Sequence, residues 1–225
     1  MIFLRNFINF KGLIGISLVL IALSTAIIAP LIIPPEYATN MDMRARLSLP
    51  SSDHFLGTDQ LGRDLFYRVM LGARTSISIA VSAVLLSLII GLPMGLISGF
   101  FRGTVDNILM RLVDTLLSFP ALLLALTISA VLGPNLKNTI LAIGIAFTPY
   151  LARLIRGEAL RVSQMPYVEA AKAAGANNFR IMVGHILPNI TPVIIVQFTI
   201  SLAFAILAEA GLSFLGLGTQ PPEAS

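Results

Sequence analysis

The sequence predicts an all-α integral membrane protein, and two observations lead to this fold class. Hydrophobic residues make up 56% of the 225 residues and charged residues only 12%, whereas a soluble domain carries about a quarter charged residues. The apolar residues also occur in runs that approach the roughly 20 helical residues needed to cross a hydrocarbon core. The composition therefore argues against a soluble globular fold.

The first apolar run, residues 12–33, contains no charged residue. A secretory signal peptide is the alternative, since Arg5 and Lys11 precede the run and the small residue Ala29 lies near its end. The apolar core of a signal peptide is about 7 to 15 residues long, however, and this run is longer. We therefore predict an uncleaved membrane anchor.

Four further apolar runs predict four more spanning helices, at residues 76–101, 116–132, 139–154 and 190–207. Arginine and lysine are concentrated in the connecting segments that a cytoplasmic N-terminus would place inside, whereas acidic residues balance the basic ones in the long outer segment. The positive-inside rule therefore predicts a cytoplasmic N-terminus. Five spans would leave the C-terminus outside, so we expect a sixth helix that this sequence lacks.

Small residues recur at every fourth position of the second predicted span: Ala83, Ser87, Gly91, Gly95 and Gly99. Such a stripe lets a neighbouring helix approach closely within the membrane, and it predicts a packing face. Two prolines, Pro93 and Pro120, interrupt helices at membrane depth and favour helices that are buried in a bundle.

A polar interruption between the fourth and fifth runs predicts two short helices outside the membrane. Pro166 suits a first helical position, Glu169 falls in the first turn where the helix dipole favours a carboxylate, and Gly175 can end the helix. Asn177 or the asparagine after it caps a second helix, which we expect to end at Pro188.

This helix pair is typical of a docking surface for a soluble partner, because its first helix presents mostly alanine methyl groups. The alternative is an amphipathic helix resting on lipid headgroups. That alternative would call for a stronger apolar face with tryptophan or phenylalanine, opposite lysine or arginine.

The same segment resembles the EAA loop of permease subunits from bacterial binding-protein-dependent ABC importers. The residues that carry the resemblance are Glu169, Ala170, Ala171, Gly175, Leu187 and Pro188. Three other segments, at residues 57–64, 112–120 and 210–218, are similar to the C-type permease subunits of dipeptide, oligopeptide and nickel importers. The likeness covers nearly the whole chain, with His185 standing where the general pattern usually has isoleucine.

The resemblance implies the transmembrane domain of a type I ABC importer, with five spanning helices of an expected six. Residues 1–75 would form the N-terminal anchor helix and an extracytoplasmic segment. Residues 76–225 would form the permease core, with the EAA coupling loop at about 163–189 and a truncated C-terminus. The location implied is the inner membrane of a bacterium or archaeon, as a multi-pass protein.

The partners that the resemblance implies are a second homologous permease subunit, two ABC ATPase subunits that bind the EAA loops, an extracytoplasmic solute-binding protein, and membrane lipid. ATP and Mg²⁺ would be used by the ATPase subunits. This sequence contains no Gly-x-x-x-x-Gly-Lys-Ser/Thr phosphate loop. We therefore expect a non-catalytic membrane subunit that binds no cofactor itself.

Two polar residues of the fifth predicted span are candidates for the translocation path. Glu209 lies at the outer end of the span and Gln197 within it, and ionisable residues near membrane depth are functional candidates by default. The alternatives are an interfacial carboxylate for Glu209 and a hydrogen bond to a neighbouring helix for Gln197.

We predict structural roles for the remaining polar residues. Asp59, Arg63 and Asp64 are expected to pair locally with their own loop, contact with the solute-binding protein being the alternative. His54 and His185 are isolated in sequence, so no metal site is predicted. The scattered basic residues form no cluster, so no nucleic-acid partner is predicted.

Two other functions stay open at this point. An ion-coupled secondary carrier would normally place paired charges at mid-membrane, which this sequence does not suggest. An inactive, truncated permease fragment is the second alternative. The substrate is also left open among dipeptides, longer peptides, glutathione-like compounds and nickel.

Overall fold

The computed structural model describes residues 10–34 and 36–218, with only the backbone of Phe10 and Lys11. Within these residues no strand forms, and Thr58 and Asp64 make only an isolated bridge. The all-α prediction is therefore confirmed. The helices are α1 (Phe10–Ile32), α2 (Glu36–Thr39), α3 (Leu65–Phe101), α4 (Gly103–Leu117), α5 (Ala121–Leu132), α6 (Leu136–Val162), α7 (Pro166–Ala173), α8 (Asn178–Ile181) and α9 (Leu187–Phe214), with a 3₁₀ turn at Met43–Ala45 and a π turn at Met182–Ile186.

In the part of the chain that the structure describes, four stretches of helix are long and apolar enough to cross a membrane. They are Gly12–Ile32, Leu65–Phe101, Leu136–Val162 and Asn178–Phe214, the last of which combines α8, the π turn and α9. The last three of these helices contain the second, fourth and fifth predicted runs, and the first helix ends one residue before the end of the first predicted run. Two of them have 37 residues each, or about 55 Å of helix, so they extend beyond a hydrocarbon core roughly 30 Å thick.

The third predicted run is not one straight helix. The chain breaks between α4 and α5, and the two helix axes differ by 86°. Pro120 lacks an N–H and restricts the residue before it, Phe119, to extended backbone, so α4 ends just before this pair. α5 alone has 12 residues, too few for a span, and the segment expected to be a connection at 102–115 is largely helix α4. The bent pair counts as a fifth span only if its two halves are taken together.

Of the described residues, 10–78 form one compact unit and 79–218 form another. In the first unit, Asp59 organises the segment before α3. Its carboxylate accepts hydrogen bonds from the backbone amides of Leu61 (2.8 Å) and Arg63 (3.0 Å) and from Nε of Arg63 (2.7 Å). Burial raises the pKa of Asp59, but these bonds outweigh that effect and lower the pKa below its ordinary value.

A second aspartate, Asp64, caps the start of α3. One carboxylate oxygen accepts a hydrogen bond from the amide of Phe66 (2.8 Å), and the other lies 2.8 Å from Nδ1 of His54. The predicted local pairing of Asp59, Arg63 and Asp64 is thus confirmed.

In the second unit, the small-residue stripe of α3 packs closely against α6. A Cβ added at Gly91 would lie 3.1 Å from the carbonyl oxygen of Thr148, and one added at Gly99 would lie 2.7 Å from Cβ of Ala159. A Cβ at Gly95 would overlap the carbonyl oxygen of Ala152. The predicted packing face is confirmed, and its partner is α6.

Two apolar clusters fill the second unit. One joins α3, α5, α6 and the end of α9 around the fully buried Ile79, Ile143 and Leu212. The other, which we call the lower cluster, joins the C-terminal parts of α3 and α6 to α7, α8, the π turn and the start of α9. Its buried members are Leu96, Leu151, Ile155, Ala159, Val162, Val168, Ile181, Met182, Ile186, Ile190 and Ile194.

Candidate functional site

The candidate site is the helix pair α7–α8, and its first helix begins and ends as the sequence predicts. Pro166 occupies the first turn of α7, after extended backbone at Met165. Gly175 ends the helix with φ +79°. The amide of Ala176 donates to the carbonyl of Ala171, and the amide of Gly175 donates to that of Lys172, each at 3.0 Å. These two bonds form a Schellman motif, which favours glycine at the left-handed position.

The second helix begins as predicted but does not end where predicted. Oδ1 of Asn177 accepts a hydrogen bond from the amide of Arg180 (2.7 Å), so Asn177 is the N-cap. The expectation that the helix ends at Pro188 is wrong. The chain continues through the π turn into α9, and Pro188 falls in the first turn of α9. The wider turn accommodates a residue that has no N–H to donate.

The inner face of the pair is built into the lower cluster. Val168 of α7, Ile181 of α8 and Ile186 of the π turn are fully buried there. Their neighbours in this cluster come from the C-terminal parts of α3 and α6 and from the start of α9. The ammonium group of Lys172 also lies 5.3 Å from the ring centroid of Phe100, so a cation–π contact links α7 to the end of α3.

The outer face of the helix pair is exposed to solvent. Glu169, Ala170, Gly175 and Pro188 are exposed, while Ala171 and Leu187 are half-buried against the lower cluster. The structure therefore brings the residues of the EAA resemblance to one segment with a solvent-facing side.

Two exposed aromatic residues on the pair were missed by the sequence reasoning. Phe179 has 71% and Tyr167 43% of its surface exposed. Large apolar side chains on a short polar helix are the signal that could have identified them.

A polar junction beside the pair was also missed. Arg156 of α6 donates two hydrogen bonds to Asp106 of α4, each 2.6 Å long, and the hydroxyl of Ser98 donates a third. At the turn before α4, Arg102 donates to the hydroxyl of Ser163 (3.2 Å), directly after α6. Asp106 and Arg156 are 50 residues apart in the chain, so no short sequence motif indicates that they form an ion pair.

The two predicted path residues do not come together. They are three turns apart on α9, or about 18 Å along its axis. Glu209 is buried and accepts a hydrogen bond from the hydroxyl of Ser213 (2.8 Å), while half-buried Gln197 donates to Ser201 of its own helix (3.3 Å). Within residues 10–34 and 36–218, no group of three or more histidine, cysteine or acidic side chains could hold a metal ion.

The apolar helices and the exposed polar helix pair define a multi-pass α-helical membrane protein. Residues 91–225 match the profile of the family described as binding-protein-dependent transport system inner membrane component. The chain belongs to this family, and it is a permease subunit of the ABC importer class.

Two relatives and one solved structure illustrate the match. A putative peptide transport system permease of Brucella suis is 44% identical over 212 residues, which cover 94% of this chain and 71% of the relative. The dipeptide transport system permease DppC of Alkalihalophilus pseudofirmus is 41% identical, over 95% of this chain and 70% of the relative. An inward-facing structure of the MetNI methionine ABC transporter aligns with a TM-score of 0.61 at 19% identity, over 69% of this chain and 77% of that chain. The type I importer fold is thereby confirmed.

Proposed function

We propose that this chain is a pathway-forming subunit of an ATP-driven importer of short peptides, and that α7–α8 is where a partner ATPase docks. The observation that carries the proposal is the two-sided character of the helix pair. Its outer residues Glu169, Ala170 and Gly175 are exposed, while its inner residues Val168 and Ile181 are fully buried. A surface that a partner can reach is thereby joined to the membrane helices.

The proposed mechanism passes movement from the pair into three membrane helices. Val168 and Ile181 connect the pair to α6 and α9 through the lower cluster, and Lys172 connects it to α3 through Phe100. Because packed interiors shift as units, displacement of the pair by an ATPase would tilt these helices together. ATP and Mg²⁺ would act in the ATPase subunits.

The proposed assembly has two homologous permease subunits, two ATPase subunits and an extracytoplasmic solute-binding protein. We propose a cytoplasmic N-terminus, supported by the distribution of arginine and lysine.

We also propose that the chain is divided into an anchor and outer segment at 1–75 and a permease core from 76. Gln197 and Glu209 stay predictions for the path. The names of the two relatives support a peptide substrate, and nickel is the less supported choice.

The decisive experiment replaces Gly175 by valine in the assembled transporter. Gly175 has φ +79°, which valine adopts only with strain, although no atom lies within 4 Å of an added Cβ. We expect ATP-dependent uptake of a labelled dipeptide into vesicles to fall at least about tenfold, while dipeptide capture by the solute-binding protein is unchanged.

The matched control is Gly157→Val. A Cβ at Gly157 also meets no atom within 4 Å, but this glycine has ordinary helical backbone in α6. Full uptake by both variants would contradict the docking role of the helix pair. Uptake that survives ATP depletion and collapses with an ion gradient would instead support an ion-coupled carrier.

A further inference from the structure

We propose that an open groove between α1 and the start of α3 binds an anionic phospholipid, with Arg74 contacting its phosphate. The groove has a volume of about 340 Å³ and lies entirely within the first unit. One wall comes from α1 and the other from α3. Its lining includes Leu23, Ile27, Leu31, Arg74, Ile77 and Ser78.

The position of the groove relative to the membrane favours a lipid. The apolar part of α3 begins at about residue 76, so Arg74 lies at the border of the hydrocarbon core. Leu31, on the same groove, is next to the end of α1 at Ile32. A cation at the border with an apolar channel beside it matches a phospholipid, which has a charged phosphate above an acyl chain.

The charges of the first unit point to an anion from outside the chain. Arg63 and Arg68 both lie near the carboxylate of Asp59, at 2.7 and 3.9 Å. Among the described residues, no carboxylate lies within 4.0 Å of Arg74. Because a guanidinium next to apolar surface gains most from a bidentate oxygen partner, a phosphodiester complements this site.

The apolar wall favours lipid over a protein carboxylate as the occupant. Ile27 and Leu31 expose 64% and 81% of their surfaces, and both face a groove whose lining is mostly hydrocarbon. An acyl chain can follow such a wall along its length, whereas a single acidic side chain would satisfy only Arg74.

The test measures binding of phosphatidylglycerol to the permease complex by native mass spectrometry. Loss of one basic contact near a membrane surface weakens anionic lipid binding about fivefold, so Arg74→Gln should retain about fivefold less phosphatidylglycerol. Arg74→Lys should keep most of the binding. Ser78→Phe, which fills the groove from its α3 wall, should lower retention without a change of charge.

Arg44→Gln is the matched control, since Arg44 is exposed in the outer segment and does not line the groove. Wild-type retention of phosphatidylglycerol by Arg74→Gln and Ser78→Phe would overturn the proposal. Displacement of the lipid by inorganic phosphate alone would also overturn the proposal. So would an Arg74→Gln complex that loses the second permease subunit but retains as much lipid as the wild type. If a variant does not fold, the thermal unfolding of the wild-type complex provides the test. The complex should unfold at a higher temperature in phosphatidylglycerol than in phosphatidylcholine. Equal unfolding temperatures would refute the site.

Discussion

The guanidinium of Arg156 holds the carboxylate of Asp106 through two hydrogen bonds of 2.6 Å, and this pair fastens α4 to α6 close to the start of the helix pair α7–α8. Ser98 of α3 completes the junction by donating to the same carboxylate. Three helices therefore meet at one aspartate that is 8% exposed.

Replacing Asp106 by asparagine should destabilise this junction. The substitution leaves the Arg156 side chain, which is 33% exposed, without its charged partner, and we expect a loss of about 2 kcal/mol in the free energy of unfolding. Thermal unfolding of the purified protein in detergent measures the loss. The control is Asp114→Asn, whose ion pair with Arg153 also joins α4 to α6 but is more than half exposed on both sides. It should cost less than about 1 kcal/mol, and equal losses in the two variants would contradict the importance of burial.

Replacing Gly95 by alanine should separate α3 from α6. The added methyl group would overlap the backbone of α6 at Ala152, and overpacking of this kind typically costs about 1 to 3 kcal/mol. Gly157→Ala meets no atom within 4 Å and should be neutral or stabilising by up to about 1 kcal/mol through helix propensity. Melting temperatures of the two variants provide the comparison. A Gly95→Ala protein as stable as Gly157→Ala would show that the two helices do not cross this closely.

Acidification should loosen the loop around Asp59. The pKa of Asp59 is lowered in the folded protein from an ordinary value of 3.8. Its contribution to stability is therefore present above that ordinary value and is lost as the pH falls through the lowered folded pKa. Hydrogen exchange of the Leu61 and Arg63 amides should accelerate over this acidic range, after correction for the intrinsic exchange rate.

Asp59→Asn should remove this pH dependence and leave the two amides weakly protected at neutral pH. The matched variant is Asp53→Asn, because Asp53 is exposed in the same segment before α3. If the exchange of both amides is independent of pH in the wild type, the assignment of Asp59 as the organising acid is wrong.

Removing the N-cap of α8 should fray that helix. Asn177→Ala deletes the oxygen that accepts from the amide of Arg180, and such losses cost about 1 kcal/mol. Faster hydrogen exchange at Arg180 is the expected observation, and Asn177→Ser should restore protection. Asn178→Ala serves as the neighbouring control, and faster exchange in this variant alone would assign the cap to Asn178.

The sequence predicted the features that depend on local composition. Apolar runs located the long helices because membrane spans need about 20 such residues, and Pro166 and Gly175 marked the ends of α7 because each suits few helical positions. The small-residue stripe predicted close packing, although it did not name α6 as the partner.

Features that depend on distant contacts could not be predicted. Pro188 alone indicates a helix end, and only the register change at Met182–Ile186 explains why the helix continues. The bend between α4 and α5 could not be predicted either, because Pro120 indicates that the helix is interrupted but does not indicate the angle of 86° between the two helix axes. Asp106 and Arg156 are ordinary residues of two separate segments until the fold joins them.

The continuity of α8, the π turn and α9 makes the two sides of the helix pair mechanically unequal. From Asn178 to Phe214 the chain is a single rod of 37 helical residues, about 55 Å long, whereas α7 is joined to α6 through a turn at residues 163–165. A push applied to α8 would therefore be carried by continuous helix into the membrane, past a π turn and Pro192, where the helix can bend. α7 has no such continuous connection, and it reaches the membrane helices through the side-chain contacts of Val168 and Lys172 instead.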